Sequence, residues 1–297
     1  MFGLQRWQVE NTVKLIDEGN TIPFIARYRK EAHGTLDDQV LRELSEKLEY
    51  LRNLDKRREE ISASITAQEK MTPEIEAALE KASTLAEIED IYRPFRPKRR
   101  TRASIAKEKG LEPLADAIFA QVADSASPTE LAADYIDAEK GVETAEDAIN
   151  GAMDIIAENI SDDADIRRRL RSLFTVAGVL RSRAADSEKE SVYTMYYEYD
   201  EPVNKIAGHR VLAVNRGENE GFLKVGIDVD RIKALNIINA NVLSDNGSVC
   251  TDIVRDAAAD AYDRLIFPSV EREIRNMITD SAVESALKVF YVNLREL

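Results

Sequence analysis

The sequence predicts a mainly α fold: a multi-helix array with one long helix and a small antiparallel β unit near residues 190–230. Three observations predict it. Twelve Gly and eight Pro among 297 residues, with 32% charged residues and 44% hydrophobic ones, is the balance of a helix-rich protein with few tight turns. From Leu36 to about Gln68 there is neither Gly nor Pro, and Leu41, Leu44, Leu48, Leu51, Ile61 and Ile65 keep a near-heptad apolar stripe, broken only by a polar turn at Asp55 to Arg58. The pattern changes at Ser191, where Tyr193, Met195, Tyr197 and Tyr199 alternate with other side chains, and Phe222, Val225, Ile227 and Val229 suggest a second strand.

Each element follows from local signals. Trp7, Val9, Val13 and Ile16 recur at helical spacing up to Gly19-Asn20, which tolerate the left-handed conformation that ends a helix. Pro23 suits the first turn of a short helix from Ile22 to Arg29, with Arg27, Arg29 and Lys30 at its C-terminal end, where cations complement the macrodipole. The long helix after Gly34-Thr35 is expected to bury one face in the chain's own core, the commoner alternative to an interchain seam. Thr72-Pro73-Glu74 and the capping-box spacing Thr84 to Glu87 open helices over about 73–82 and 85–92.

Further on, Ala103 to Lys109 should be helical with Gly110 as its C-cap, and Pro113 starts another helix. Ser127-Pro128 and Thr144 to Asp147 open two more, the second reaching about Asn159. A helix over 163–182 carries Arg167, Arg168, Arg169 and Arg171 close to Asp162, Asp163 and Asp165, and a solvated intrahelical ion-pair face is the expected use of those charges. His209 to Arg216 reads as a helical turn, the Asn-rich 236–247 as a loop or short edge strand, and the last fifty residues as two helices jointed at Pro268. The final amphipathic helix has no stop signal, so the chain reads as part of a longer protein.

The formal net charge of −14 is unevenly spread. Residues 1–110 balance at +1, with 21 Lys+Arg against 20 Asp+Glu, and residues 111–297 at −15, with 20 against 35. An anionic partner would therefore dock on the first third. These two stretches are also the expected domain division, the first holding the long helix and a basic loop, the second the β insertion. Neither a membrane span nor a secretory leader is indicated, and a lone Cys250 forms no intrachain disulfide, which together point to a cytoplasmic location.

The basic loop is the stretch from Tyr92 to Arg102. It holds Arg93, Arg96, Lys98, Arg99, Arg100 and Arg102 with no acidic residue, while Pro94 and Pro97 forbid a regular helix through it. Two readings stand. One is a phosphate-contacting surface, in which Arg forks and Lys point charges satisfy nucleic-acid backbone oxygens, with Tyr92 and Phe95 as available stacking rings. The other, favoured by composition alone, is an arginine clamp that caps helix C-termini and pairs with some of the 55 carboxylates.

No glycine-rich phosphate loop, GxSxG, HExxH or CxxC pattern occurs. His209 has no implied nucleophile, Cys250 reads as a small buried residue, and the acidic pairs Asp37-Asp38 and Asp162-Asp163 suit helix N-termini without a metal. No enzyme activity, cofactor, metal or small-molecule substrate is expected.

Several long stretches carry a resemblance. Trp7 to Glu31 (WQVENTVKLIDEGNTIPFIARYRKE), Leu36 to Arg42, Tyr92 to Ala115, Tyr199-Asp-Glu-Pro202, His209-Arg-Val-Leu-Ala213 and Arg216 to Gly221 resemble the N-terminal region of the bacterial Tex family. These are transcription accessory proteins related to a eukaryotic transcription-elongation factor and histone chaperone. The resemblance implies a helical region with a helix-turn-helix-like part, followed in the whole protein by a YqgF-like domain, helix-hairpin-helix elements and an OB-type RNA-binding domain, all beyond Leu297. It further implies nucleic acid, RNA or DNA, as a partner of the whole protein, possible contact with the transcription machinery, and a scaffold role for this region. A self-standing nucleic-acid-binding module using residues 93–102 is the alternative. His33 departs from the small hydroxyl residue usual in the family.

Overall fold

The fold is taken from a computed structural model that describes residues 3–97 and 100–296, with side chains as far as residue 290. The chain divides into two compact units, Met1–Phe95 and Arg96–Leu297. Lys98 and Arg99 lie outside the described residues.

The first unit is wholly helical: α1 (Arg6–Asp17), α2 (Ile22–Tyr28), α3 (Lys30–His33), α4 (Asp38–Ala67), α5 (Pro73–Lys81) and α6 (Leu85–Tyr92), then a 3-10 turn at Arg93–Phe95. The long helix forms as its lack of breakers predicts, with the Asp37 carboxylate accepting from Gln39 N at 2.8 Å to cap it. Its stripe is not one seam. Leu41 joins Leu15 and Ile25 in one small core, while Leu54, Ile61 and Ile65 join Leu79, Ala82 and Ile88 in another. Leu51 falls between the two and is exposed, and Leu54, which the heptad reading skipped, is buried. A straight helix of 3.6 residues per turn drifts away from a 3.5-residue repeat, so a helix serving two cores changes its buried face.

Buried His33 ties the short helices together. Its Nδ1 accepts from Leu36 N at 3.0 Å and its Nε2 lies 3.2 Å from Ile25 O. The first contact fixes the proton on Nε2, which then donates to the carbonyl. A small hydroxyl residue would not span both groups.

The second unit contains α7 (Arg102–Glu108), α8 (Glu112–Phe119), α9 (Pro128–Ala133), α10 (Ala145–Asp162), α11 (Ala164–Ala177), α12 (Gly208–Asn219), α13 (Arg231–Val242), α14 (Thr251–Asp260) and α15 (Phe267–Glu296). Strands β1 (Val179–Ala184), β2 (Glu198–Pro202) and β3 (Leu223–Asp228) form an antiparallel sheet in the order β2-β1-β3. The register sets Val179 opposite both Pro202 and Asp228. Helix α10 is the hub, packing against α7, α8, α9, α11 and α14 through buried Ala148, Ala152, Ile155, Ile156 and Ile160. The sequence division placed α7 with the first region, but Ala103 and Ala106 are buried in the core of the second.

Five local expectations are corrected. The helix predicted over 163–182 ends at Ala177, and Val179–Ala184 is the central strand. Gly178 is the reason: a Cβ there would meet Phe174 O at 2.2 Å, so only glycine lets the chain turn from helix to strand. The alternation at 193–199 is not one strand. Tyr193 and Tyr196 are buried at a 3-10 turn, Met195 is exposed, and β2 begins at Glu198. Residues 236–242 belong to helix α13, capped by the Asp230 carboxylate accepting from Ile232 N at 2.9 Å. Burial of Ala234 and Ile238 outweighs the weak helix preference of asparagines, and Asn236 and Asn241 sit on its exposed side. The turn foreseen at 209–216 is the twelve-residue helix α12. Near Pro268 the chain does not break; a π-helical segment, Ala261–Ile266, absorbs the joint and leads directly into α15.

Candidate functional site

The basic loop is reached from α6 through contacts that use up its aromatic rings. Tyr92 Oη lies 3.0 Å from Ser64 Oγ, and the Arg57 guanidinium sits 5.8 Å from the Tyr92 ring centroid. Phe95 packs against the core of α4, α5 and α6, and its carbonyl accepts from Gln68 Nε2 at 3.0 Å. Neither ring is a free stacking face, so Tyr92 and Phe95 are not the stacking partners that their place beside the loop suggests.

Its cations are placed differently from one another. Arg93 is half-buried in the 3-10 turn, whereas Arg96, Arg100 and Arg102 are exposed. Arg100 Nη2 stands 3.5 Å from Glu108, a contact between side chains 72% and 63% exposed, where an ion pair contributes little. Arg102 begins α7; burial raises the Asp154 carboxyl above its ordinary value, and the charges of Arg264 and then Arg102 offset part of that rise. Lys98 and Arg99, the other two cations of the loop, lie outside the described residues.

Arginine clamps of the expected kind are formed elsewhere in the chain. From α4, Arg58 donates to Leu79 O and Ala82 O, both at 2.9 Å, capping the C-terminus of α5. Arg57 Nε reaches Glu89 at 2.6 Å. In the second unit Arg275 joins α15 to Val225 O (2.8 Å), Glu218 (2.6 Å) and Asn215 (2.9 Å). Arg264 links Asp260 to Asp154 on α10.

The cluster on α11 splits. Arg168 and Arg169 pair with Asp165 on the helix surface, as expected. Arg167 is fully buried, donates to Ser269 Oγ at 3.0 Å and pairs with Glu273, which Arg171 also holds at 3.1 Å. The expected solvated face is therefore only half of the cluster; the other half locks α11 onto α15. Helical periodicity could have flagged this, because Arg167 shares a face with buried Leu170 and Phe174.

The remaining candidates have structural settings. His209 is exposed on the first turn of α12, and Cys250 is buried at the start of α14. Among the described residues no group of three or more His, Cys, Asp or Glu side chains could hold a metal ion. Among them, too, no helix is long and apolar enough to cross a membrane.

Each unit is thus a helical assembly in which several arginines tie helices together, and Arg96, Arg100 and Arg102 are exposed in the segment that follows the 3-10 turn. Residues 1–66 match the Tex-like protein N-terminal domain and residues 123–290 the Tex central region-like family. This chain belongs to the Tex family. It is 43% identical over 300 residues to the uncharacterized protein YdcI of Bacillus subtilis, covering 99% of this chain and 41% of that protein. It is 36% identical over 303 residues to the transcriptional accessory protein Tex of Neisseria gonorrhoeae, covering 98% and 39%. It is also 28% identical over 309 residues to the human S1 RNA-binding domain-containing protein 1, covering 99% and 31%. The chain thus spans about two-fifths of the length of the bacterial relatives.

Proposed function

We propose that this chain is a non-enzymatic scaffold region of a transcription accessory protein, acting in the cytoplasm, that holds the nucleic-acid-binding parts of a longer polypeptide and contacts polynucleotide backbone through residues 93–102. The names of the relatives, with transcription in one and RNA binding in another, support the partner class. The helix-turn-helix-like part belongs to the first helices in this reading. The observation that carries the contact is the exposure of Arg96, Arg100 and Arg102 within one short stretch whose sequence, from Tyr92 to Arg102, holds no acidic residue. Guanidinium groups at the surface meet phosphate oxygens without any core having to open.

The scaffold reading and the self-standing-module alternative diverge in one measurement. Fluorescence anisotropy of a labelled RNA or DNA probe is followed with the isolated chain across a salt series, alongside the quadruple change of Arg96, Lys98, Arg99 and Arg100 to Ala. A contact through the loop makes the log–log salt slope shallower by about 0.7 to 0.9 for each phosphate contact removed. An unchanged slope removes the loop from the interface; tight binding by the isolated chain that the quadruple change abolishes would favour the self-standing module.

A further inference from the structure

The exposed aromatic faces that the loop lacks are found on α2. Ile22, Ile25 and Ala26 turn inward to the core shared with Leu15 and Leu41. On a 3.6-residue period the opposite face carries Phe24, Arg27 and Tyr28. An amphipathic surface helix would carry polar residues at positions 24 and 28. Instead Phe24 is 39% and Tyr28 62% exposed, and their rings lie together, centroids 5.3 Å apart at 45°. Isolated exposed apolar residues are ordinary on protein surfaces, but an adjoining aromatic pair presents a continuous π surface.

Adjoining this pair in the chain are Arg27, Arg29 and Lys30, all exposed. Among the described residues no carboxylate lies within 4.0 Å of any of the three, in a chain with 55 acidic residues against 41 basic ones. The macrodipole explains why cations suit this end of α2. It does not explain the rings. Rings with open faces beside unpaired cations are the combination that holds single-stranded polynucleotide, bases stacking on the rings and phosphates meeting the charges. A duplex offers the charges the same phosphates but keeps its base faces stacked internally.

We propose that Phe24, Arg27, Tyr28, Arg29 and Lys30 form a stacking platform for a single-stranded polynucleotide, distinct from residues 93–102. The assignment deepens the nucleic-acid reading of the protein but does not depend on the loop taking part in it.

The 297-residue chain is titrated into labelled oligo-dT, oligo-rU and a blunt DNA duplex, with circular dichroism confirming the fold of each variant. Phe24→Leu/Tyr28→Leu keeps apolar bulk and removes the π faces; it is expected to weaken both single strands about tenfold without altering the salt slope or duplex binding. Arg27→Ala/Arg29→Ala/Lys30→Ala should flatten the single-strand slope by about 2. The quadruple loop variant is run in parallel, so loss only in that variant preserves the loop contact while overturning the platform. No effect of the leucine pair also overturns it, reducing the patch to electrostatics. So does displacement of the oligonucleotide by poly-glutamate as effective as by unlabelled oligo-rU, which would mark a docking surface for an acidic protein. Absence of single-strand binding by the unaltered chain overturns it as well.

Discussion

The two units solve the same problem of holding helices together in opposite ways. The first divides its apolar residues between two small clusters at the two ends of α4, whereas the second gathers its own into one continuous core around α10 and sinks an arginine into the packing between α11 and α15. A large core opens as a unit because its contacts support one another, whereas two small clusters can open one at a time. The lesson is that the first unit should yield locally and the second cooperatively.

The strongest way to break the contrast is at Glu273. Replacing it with Ala leaves Arg167 buried with its main counter-charge gone, and should lower stability by about 3 kcal/mol in urea unfolding, the lower end for such pairs because Glu273 is only partly buried. Arg168→Ala, breaking an exposed pair with Asp165 on the same helix, should change it by less than about 1 kcal/mol. Equal effects would mean that the buried network is not what joins α11 to α15.

Next comes a comparison of core truncations. Ile25→Ala and Ile155→Ala each remove a fully buried side chain, at about 2–5 kcal/mol apiece. Hydrogen exchange should separate them: faster exchange confined to α1, α2, α3 and the start of α4 for Ile25→Ala, and spread across the second unit for Ile155→Ala. Uniform acceleration of the whole chain by Ile25→Ala would refute the local character of the first unit.

The smallest effects should be alike in both. Thr84→Ala in the first unit and Thr144→Ala in the second each remove an N-cap within a capping box, for about 1 kcal/mol in thermal or urea unfolding. The partner carboxyls Glu87 and Asp147 are held below their ordinary values, Glu87 first by the Ser83 backbone N–H and Asp147 first by the Thr144 hydroxyl. Their folded values lie below the unfolded ones, so their contribution is complete above about pH 4.5 and is lost as pH falls through the folded values. Melting curves between about pH 6 and pH 3 should therefore decline less in Glu87→Gln and Asp147→Asn than in the unaltered chain.

Much of this was legible in advance because it is local. Thr72, Thr84, Thr144 and Asp163 announce helix starts that the structure bears out. The freedom of Leu36 to Gln68 from Gly and Pro announces α4. What escaped was decided by partners remote in sequence. The asparagines around 236–241 look like loop until Ala234 and Ile238 find a core, and β1 reads as the end of a helix until β2 and β3 flank it. The candidate site divides in the same way. Residues 93–102 stand out by composition, but whether Tyr92 and Phe95 offered free faces depended on Ser64, Arg57 and the core of α4 to α6.

By itself, then, the sequence determined the mainly helical class, the long helix, the caps and the concentration of positive charge in the first 110 residues, because each follows from the conformational limits and charges of neighbouring side chains. Tertiary structure alone decided that Arg167 is a buried tie while Arg96 and Arg102 meet solvent, and that the open aromatic faces belong to α2 rather than to the loop. The same guanidinium group serves either purpose, and only the arrangement of distant segments determines whether it is buried between helices or lies at the surface.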